Sequence, residues 1–295
     1  MKSTSVSMGI TRRTLLGSAM ATIAGSVPGA SPREPDFEAR MAAIQAQAGG
    51  RLGACVLDTG SGREFRYHSD ERFALCSTFK LLLAAQVLSR VDTGKLKLEQ
   101  RIAYSKADLL PTSTVTAQHV AEGSMSLSEL CQAIVEVSDN AAANLLLDLV
   151  GGPGGLTAFL RNQGDDTTRL DRKELELNSN LPGDPRDTTT PIAMATTVAR
   201  LLTGDALAAA SRDRLIGWMK HSSTGLRRMR AGLPANWIAA DKTGTGTRGS
   251  VNDVMMAWPP NRKPIVAAVY LSDSTAGTPA LERTHQDIGA WIATL

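Results

Sequence analysis

Three short groups of residues in this chain could together carry nucleophilic chemistry. Ser77-Thr78-Phe79-Lys80 opens a run, Leu81 to Leu88, that is apolar nearly all round and therefore reads as a buried helix. A serine at the start of such a helix has its backbone N–H at the positive end of the helix dipole, where an oxyanion is stabilised. Lys80 lies one turn on, on the same face and between apolar neighbours. In a site with little water it can lower the cost of an alkoxide or accept the hydroxyl proton. Ser138-Asp139-Asn140 follows Ile134-Val135 and precedes the helical run Ala141 to Val150, for which Asp139 is a fitting N-cap. Lys242-Thr243-Gly244 ends a strand-like run. A fourth group is Glu174 and Asn178, four residues apart, whose side chains converge on one helical turn and can hold a water between them. Glu176, offset by two, points elsewhere and is assigned to solvent.

These groups need a frame. Phe37, Met41 and Ile44 recur at helical spacing before Gly49-Gly50, and Leu52 to Asp58 with Glu64 to Tyr67, joined by Thr59-Gly60-Ser61-Gly62, read as a hairpin. From about residue 77 to 220 the pattern is mostly helical. Strand-like runs return at Trp237 to Lys242, Val251 to Trp258 and Ile265 to Leu271, and Leu281 to Leu295 closes as an amphipathic helix. Strands at both ends with helices between them predict an α/β domain from residues 31–72 and 221–295, an antiparallel sheet flanked by helices, interrupted by an all-helical domain over 73–220. A cleft is expected at their junction.

The chain has 295 residues, of which 42% are apolar and 21% charged, which excludes disorder and a disulfide-dense mini-protein. Lys plus Arg exceeds Asp plus Glu by three, yet Lys2, Arg12 and Arg13 lie within the first 30 residues, which hold no acid. The remainder is balanced, so nucleic acid is not an expected partner. Thr11-Arg12-Arg13-Thr14-Leu15-Leu16, the apolar run to Val27 and Gly29-Ala30 read as a twin-arginine export signal over residues 1–30. The run is too short and too diluted with Gly, Ser and Thr to predict stable membrane insertion. His68, His119, His221 and His285 are scattered and form no zinc-like cluster with Cys55, Cys76 and Cys131, so neither metal nor cofactor is expected.

A Ser and a Lys three apart turn up about once in a chain this long at ordinary residue frequencies, so the order of the groups is what informs. In that order, Ser77-Thr78-Phe79-Lys80, Ser138-Asp139-Asn140 and Lys242-Thr243-Gly244 resemble the signature of the class A serine β-lactamases, across essentially the whole mature chain. The resemblance implies a two-domain fold shared with penicillin-binding proteins, and hydrolysis of the β-lactam amide bond through a Ser77 acyl-enzyme. It implies that Ser138 relays a proton to the departing ring nitrogen and that Asn140 binds the substrate's side-chain amide. It further implies that Lys242 and Thr243 hold its carboxylate, that the Thr245 N–H completes the oxyanion hole with that of Ser77, and that Arg228 is the second basic group near the carboxylate, with Arg227 and Arg230 close by. Residues about 169–187 match the family's omega loop, in which Glu174 is the base for deacylation. Arg172 and Asp187 match the ion pair at its neck, and Asn144 the amide that ties the Glu174 backbone. The base for acylation stays open between Lys80 and Glu174.

The chain departs from its relatives at several positions. Leu175 stands where many have proline, and Thr112 where an aromatic gatekeeper is usual. Cys76, Thr245 and Arg228 resemble the carbapenem-hydrolysing branch, but Gly246 replaces the cysteine that bridges to Cys76 there. Ala84 likewise removes the partner that Cys131 has in another branch, so no intramolecular disulfide is expected. Small-molecule β-lactams, the twin-arginine machinery for the precursor, a monomer, and a periplasmic or secreted location are the expected partners and context. The competing reading is a soluble β-lactam sensor or penicillin-binding protein that acylates and stays acylated.

Overall fold

The computed structural model describes residues 1–4 and 35–295, so the twin-arginine segment and the apolar run after it lie outside the described residues. In chain order the helices and strands are α1 (Pro35–Ala48), β1 (Arg51–Asp58), β2 (Glu64–Tyr67), β3 (Phe73–Ala74), α2 (Phe79–Asp92), β4 (Arg101–Ala103), α3 (Thr114–Gln118), β5 (Ser124–Ser126), α4 (Leu127–Glu136), α5 (Asn140–Val150), α6 (Gly152–Asn162), β6 (Thr188–Thr189), α7 (Pro191–Thr203), α8 (Ala209–Lys220), β7 (Ile238–Thr245), β8 (Val251–Trp258), β9 (Ile265–Ser272) and α9 (Thr278–Ile292). The main sheet has the order β2-β1-β9-β8-β7 and every pairing in it is antiparallel. Two-stranded ribbons β3-β6 and β4-β5 interrupt the helical stretch.

Both faces of this sheet are covered, and the alternation of its side chains decides which core each residue enters. In β9, Ile265, Ala267, Val269 and Leu271 pack with Phe37, Met41 and Ile44 of α1 and with Leu281, Ile288 and Ile292 of α9. Val266, Ala268 and Tyr270, the residues between them, pack on the opposite face with the helical body. The period-2 signal is hidden because both faces are apolar, which is why these strands read as continuous runs.

Helix α2 is the centre of the helical body: Phe79 through Leu88 are buried without a break. Each buried Leu or Val side chain contributes roughly 1.5–3 kcal/mol relative to exposure, and that surplus carries the unfavourable burial of Lys80 in the same helix. Asp139 caps α5 as expected, accepting from Ala142 N at 3.0 Å, and also accepts from Val115 N, Thr116 N and the Thr116 hydroxyl. It thereby fixes the segment containing Ser138 to the one containing Thr112. Among the described residues no single helix is long and apolar enough to cross a membrane.

Candidate active site

Ser77 lies in a short 3-10 turn, Cys76–Thr78, that leads into α2, rather than in the first turn of the α-helix itself. Strand β7 runs alongside this turn. A Cβ on Gly244 would stand 2.9 Å from Leu75 O and 3.2 Å from Ser77 N, so the glycine lets the strand approach the backbone of the serine. Asn252 of β8 supports the same segment from below, donating to Ala74 O at 2.9 Å.

Around Ser77 the sequence groups come together. Lys80 is wholly buried; its Nζ donates to Ser77 Oγ at 3.1 Å, to Asn140 Oδ1 at 2.5 Å and to Ser138 O at 2.8 Å, and pairs with Glu174 Oε1 at 2.9 Å. Burial pushes the Lys80 ammonium below its ordinary pKa, opposed by the charge of Glu174. Ser138 has φ +64°, a left-handed backbone that costs about 1–2 kcal/mol in a residue with a Cβ. Its hydroxyl lies between two ammonium groups, 3.4 Å from Lys80 Nζ and 3.2 Å from Lys242 Nζ. Lys242 is held well below its ordinary value by burial first and by the charge of Lys80 second.

Glu174 closes the site from the loop side. Its Oε1 is 3.5 Å from Ser77 Oγ, and its Oε2 accepts from Asn178 Nδ2 at 2.6 Å. The two residues meet as their spacing predicts, although the turn between them is 3-10 (Glu176–Asn178) with Glu174 just outside it, and the Asn178 amide bonds the carboxylate directly. The Glu174–Leu175 peptide is cis without proline. Glu176 is exposed, as expected.

The loop is clasped at both predicted places. Arg172 Nε donates to the buried Asp187 at 2.5 Å, and the other Asp187 oxygen accepts the Asp171 and Arg172 N–H groups at 2.7 and 2.9 Å. Asn144 donates to Glu174 O and accepts from Glu174 N.

Of the three neighbouring arginines, only Arg228 enters the cleft. It is buried, and its guanidinium donates to Gly244 O at 2.9 Å and to Thr245 Oγ1 at 2.6 Å. Arg227 is drawn away by Glu282 at 2.9 Å and Arg230 by the buried Asp241 at 2.9 Å. A cavity of about 500 Å³ opens over this set, lined by Ser77, Thr112, Asn140, Asn178, Arg228 and Thr245 among others. Strand β7 extends through Thr245, three residues beyond the predicted end at Lys242, which brings Thr243 and Thr245 to the cavity wall.

Sequence reasoning missed Thr224, whose hydroxyl oxygen accepts from Thr243 Oγ1 at 2.6 Å, and Asn252. Neither belongs to a motif with chemistry of its own, so only proximity reveals them. All three cysteines are free and buried, and the Cys76 thiol is pushed up to about 12 by burial. Cys76 Sγ lies 2.6 Å from where a Cβ of Gly246 would be. Among the described residues no three His, Cys, Asp or Glu side chains converge as a metal site.

Comparison with known proteins gives the family of the chain. The model of the β-lactamase enzyme family matches residues 36–294, and the chain belongs to that family. Within it, the chain is a class A serine enzyme. An ancestral class A β-lactamase structure superposes with a TM-score of 0.86 at 53% identity, covering 88% of this chain and 99% of the other. A β-lactamase of Burkholderia vietnamiensis does so with a TM-score of 0.86 at 45% identity, over 89% and 97% of the two chains. In sequence, a β-lactamase of Amycolatopsis lactamdurans is 49% identical over 83% of this chain and 80% of its own length. The carbapenem-hydrolyzing β-lactamase KPC of Klebsiella oxytoca is 49% identical over 78% of each.

Proposed function

We propose that this protein hydrolyses the β-lactam amide bond of antibiotics through an acyl-enzyme on Ser77 and so confers resistance to them. Ser77 Oγ attacks the ring carbonyl while its proton passes to the Lys80–Glu174 pair, whose Nζ and Oε1 lie 3.1 and 3.5 Å from it. The oxyanion rests on the N–H groups of Ser77 and Thr245. Collapse breaks the C–N bond, the ring nitrogen takes the proton of Ser138, and Lys80 replaces it on the Ser138 oxygen with the one taken from Ser77, which leaves Glu174 a carboxylate. Lys242, Thr243 and Arg228 hold the substrate carboxylate, and Asn140 the side-chain amide. Glu174 then takes a proton from a water held with Asn178 as the water oxygen attacks the ester carbon; the ester C–O bond breaks and that proton passes from Glu174 to Ser77 Oγ, which restores the serine.

The observation that carries turnover, rather than permanent acylation, is the Glu174 carboxylate lying 3.5 Å from Ser77 Oγ with its far oxygen fixed by Asn178. An acylated sensor or penicillin-binding protein needs the serine and lysine but not a carboxylate delivered there by a clasped loop. Asn144, Arg172 and Asp187 serve to hold that loop, about residues 169–187, in place. We further propose two domains, an α/β one of residues 31–72 with 221–295 and an all-helical one of residues 73–220, and an exported monomer that leaves by the twin-arginine route for the periplasm or medium.

Nitrocefin turnover by the purified mature chain tests the reading. Many equivalents hydrolysed per protein support it, and a burst of one equivalent with a lasting Ser77 adduct replaces it with the receptor. Imipenem in the same assay decides whether carbapenems are substrates, as the name of the Klebsiella oxytoca relative prompts.

A further inference from the structure

The loop bearing Glu174 and Asn178 is anchored at its start by Asn144, but its far limb is held by a residue outside every motif. Thr247, in the connection between β7 and β8, shares its one hydroxyl proton between the carbonyls of two consecutive loop residues, Ser179 at 2.6 Å and Asn178 at 3.0 Å. Its N–H also donates to Asn178 O at 3.3 Å, and its own carbonyl accepts from Asn180 Nδ2 at 3.3 Å. Asn180 is in turn tied to Ser272 Oγ at the end of β9 at 3.0 Å. The connection is itself fixed: Arg248 pairs with Asp273 at 2.6 Å, and Asp273 N donates to Arg248 O at 2.7 Å. The hydroxyl thus joins a rigid sheet edge to the chain segment whose Asn178 side chain orients the Glu174 carboxylate. Gly246 permits the close approach, since a Cβ there would stand 3.2 Å from Asn178 O.

We infer that Thr247 is a positioning residue for deacylation: its hydroxyl sets the height of Asn178 over the cleft, and through Asn178 Nδ2 the orientation of Glu174 toward the ester-attacking water. The inference rests on the hydrolase reading above, and Thr247 touches no reacting atom in it. The first step uses Ser77, Lys80 and the Glu174 oxygen that Lys80 Nζ itself holds at 2.9 Å, whereas the clasp acts through Asn178 on the other Glu174 oxygen. Loss of the hydroxyl therefore slows release of the acyl group and leaves its formation alone.

The test compares Thr247→Val, which keeps the branched shape and the backbone N–H, with Thr247→Ser, which keeps the donor. With nitrocefin, Thr247→Val is expected to lower kcat and KM together by about three- to tenfold, the scale of one or two partly exposed hydrogen bonds, with kcat/KM unchanged and acyl-enzyme accumulating by mass spectrometry. Thr247→Ser is expected to restore kcat. Hydrogen exchange of the loop peptide over residues 174–180 is expected to be faster in the Val variant and restored in Ser. A fall in kcat/KM with no accumulated adduct, a Ser variant as slow as Val, or unchanged exchange in Val overturns the inference. A wild-type chain that hydrolyses only one equivalent overturns the hydrolase reading instead, and the exchange measurement still judges the clasp.

Discussion

Asn144 grips Glu174 at both polar groups of its main chain: the amide nitrogen donates to the Glu174 carbonyl and the amide oxygen accepts from the Glu174 N–H, each at 3.0 Å. A side chain on α5 thereby does for the loop what a paired strand would do, satisfying donor and acceptor of one residue at once. Asn144→Ala leaves both groups to find other partners. It is expected to lower stability by about 1–3 kcal/mol, measured by urea denaturation, and to raise the steady-state fraction of acyl-enzyme.

Glu174→Ala should separate the two halves of the reaction. The acylation burst is expected to persist, a stable adduct to appear on Ser77 by mass spectrometry, and steady turnover to fall by about 100-fold or more, the scale of lost general-base catalysis. Turnover at the wild-type rate would remove Glu174 from the mechanism. Ser77→Ala is expected to give no adduct at all.

The neck of the loop depends on a buried carboxylate. Asp187 is fully enclosed and meets Arg172 and two backbone N–H groups. Asp187→Ala takes the acceptor from two backbone amides and leaves Arg172 only Asp184, 3.6 Å away, so a loss of about 1–3 kcal/mol is expected, together with faster proteolytic cleavage within residues 171–187. Unchanged cleavage would show that the loop is held without this pair.

Lys242 gives a pH dependence with a definite sign. Burial and the neighbouring Lys80 lower its pKa well below the ordinary lysine value of 10.5, so the ammonium is lost earlier on the alkaline side than an exposed lysine would be. Attraction for a substrate carboxylate fades with it. The alkaline limb of kcat/KM is therefore expected to begin below pH 10.5, and Lys242→Arg to move that limb upward; a limb at the same pH in both proteins would assign it to another group.

His285 of α9 acts on stability instead. It is enclosed, its Nε2–H donates to Val251 O at 3.0 Å, Nδ1 has no hydrogen-bond partner, and burial lowers its pKa from 6.5 to about 3. The unfolded chain takes up a proton here below about pH 6.5 that the folded chain refuses until about pH 3. The stability due to the neutral ring is thus complete above pH 6.5 and is lost as pH falls through that window. In denaturant titrations between pH 7 and pH 4, His285→Asn is expected to show a shallower loss of stability than the wild type; parallel curves would count against the assignment.

Much of the site was legible in the chain because its chemistry is local. Ser77 with Lys80 is one helical turn, Glu174 with Asn178 one tight turn, and Asp139 a cap beside its own helix, so spacing alone sets their relative directions. The strands were legible as runs but not as faces, since β8 and β9 are buried on both sides. Which arginine serves the cleft was narrower in the fold than in the sequence. Arg227 and Arg230 find carboxylates in α9 and β7, and no spacing rule reports the distance from residue 227 to 282 or from 230 to 241.

By itself the sequence determined which functional groups exist, their order, and the local turns that aim them, because hydrogen bonding and steric preference within a few residues require no partner from elsewhere. Only the tertiary structure decided how deeply Lys80 and Lys242 are withdrawn from water, that the Ser138 hydroxyl lies between them, and that Thr247 reaches across to the loop. Those outcomes depend on segments separated by tens to hundreds of residues meeting at distances of about 3 Å. Such meetings are fixed by the packing of the helical body and sheet around a common core, and burial, with the shifts in charge it imposes, exists only once that packing is complete.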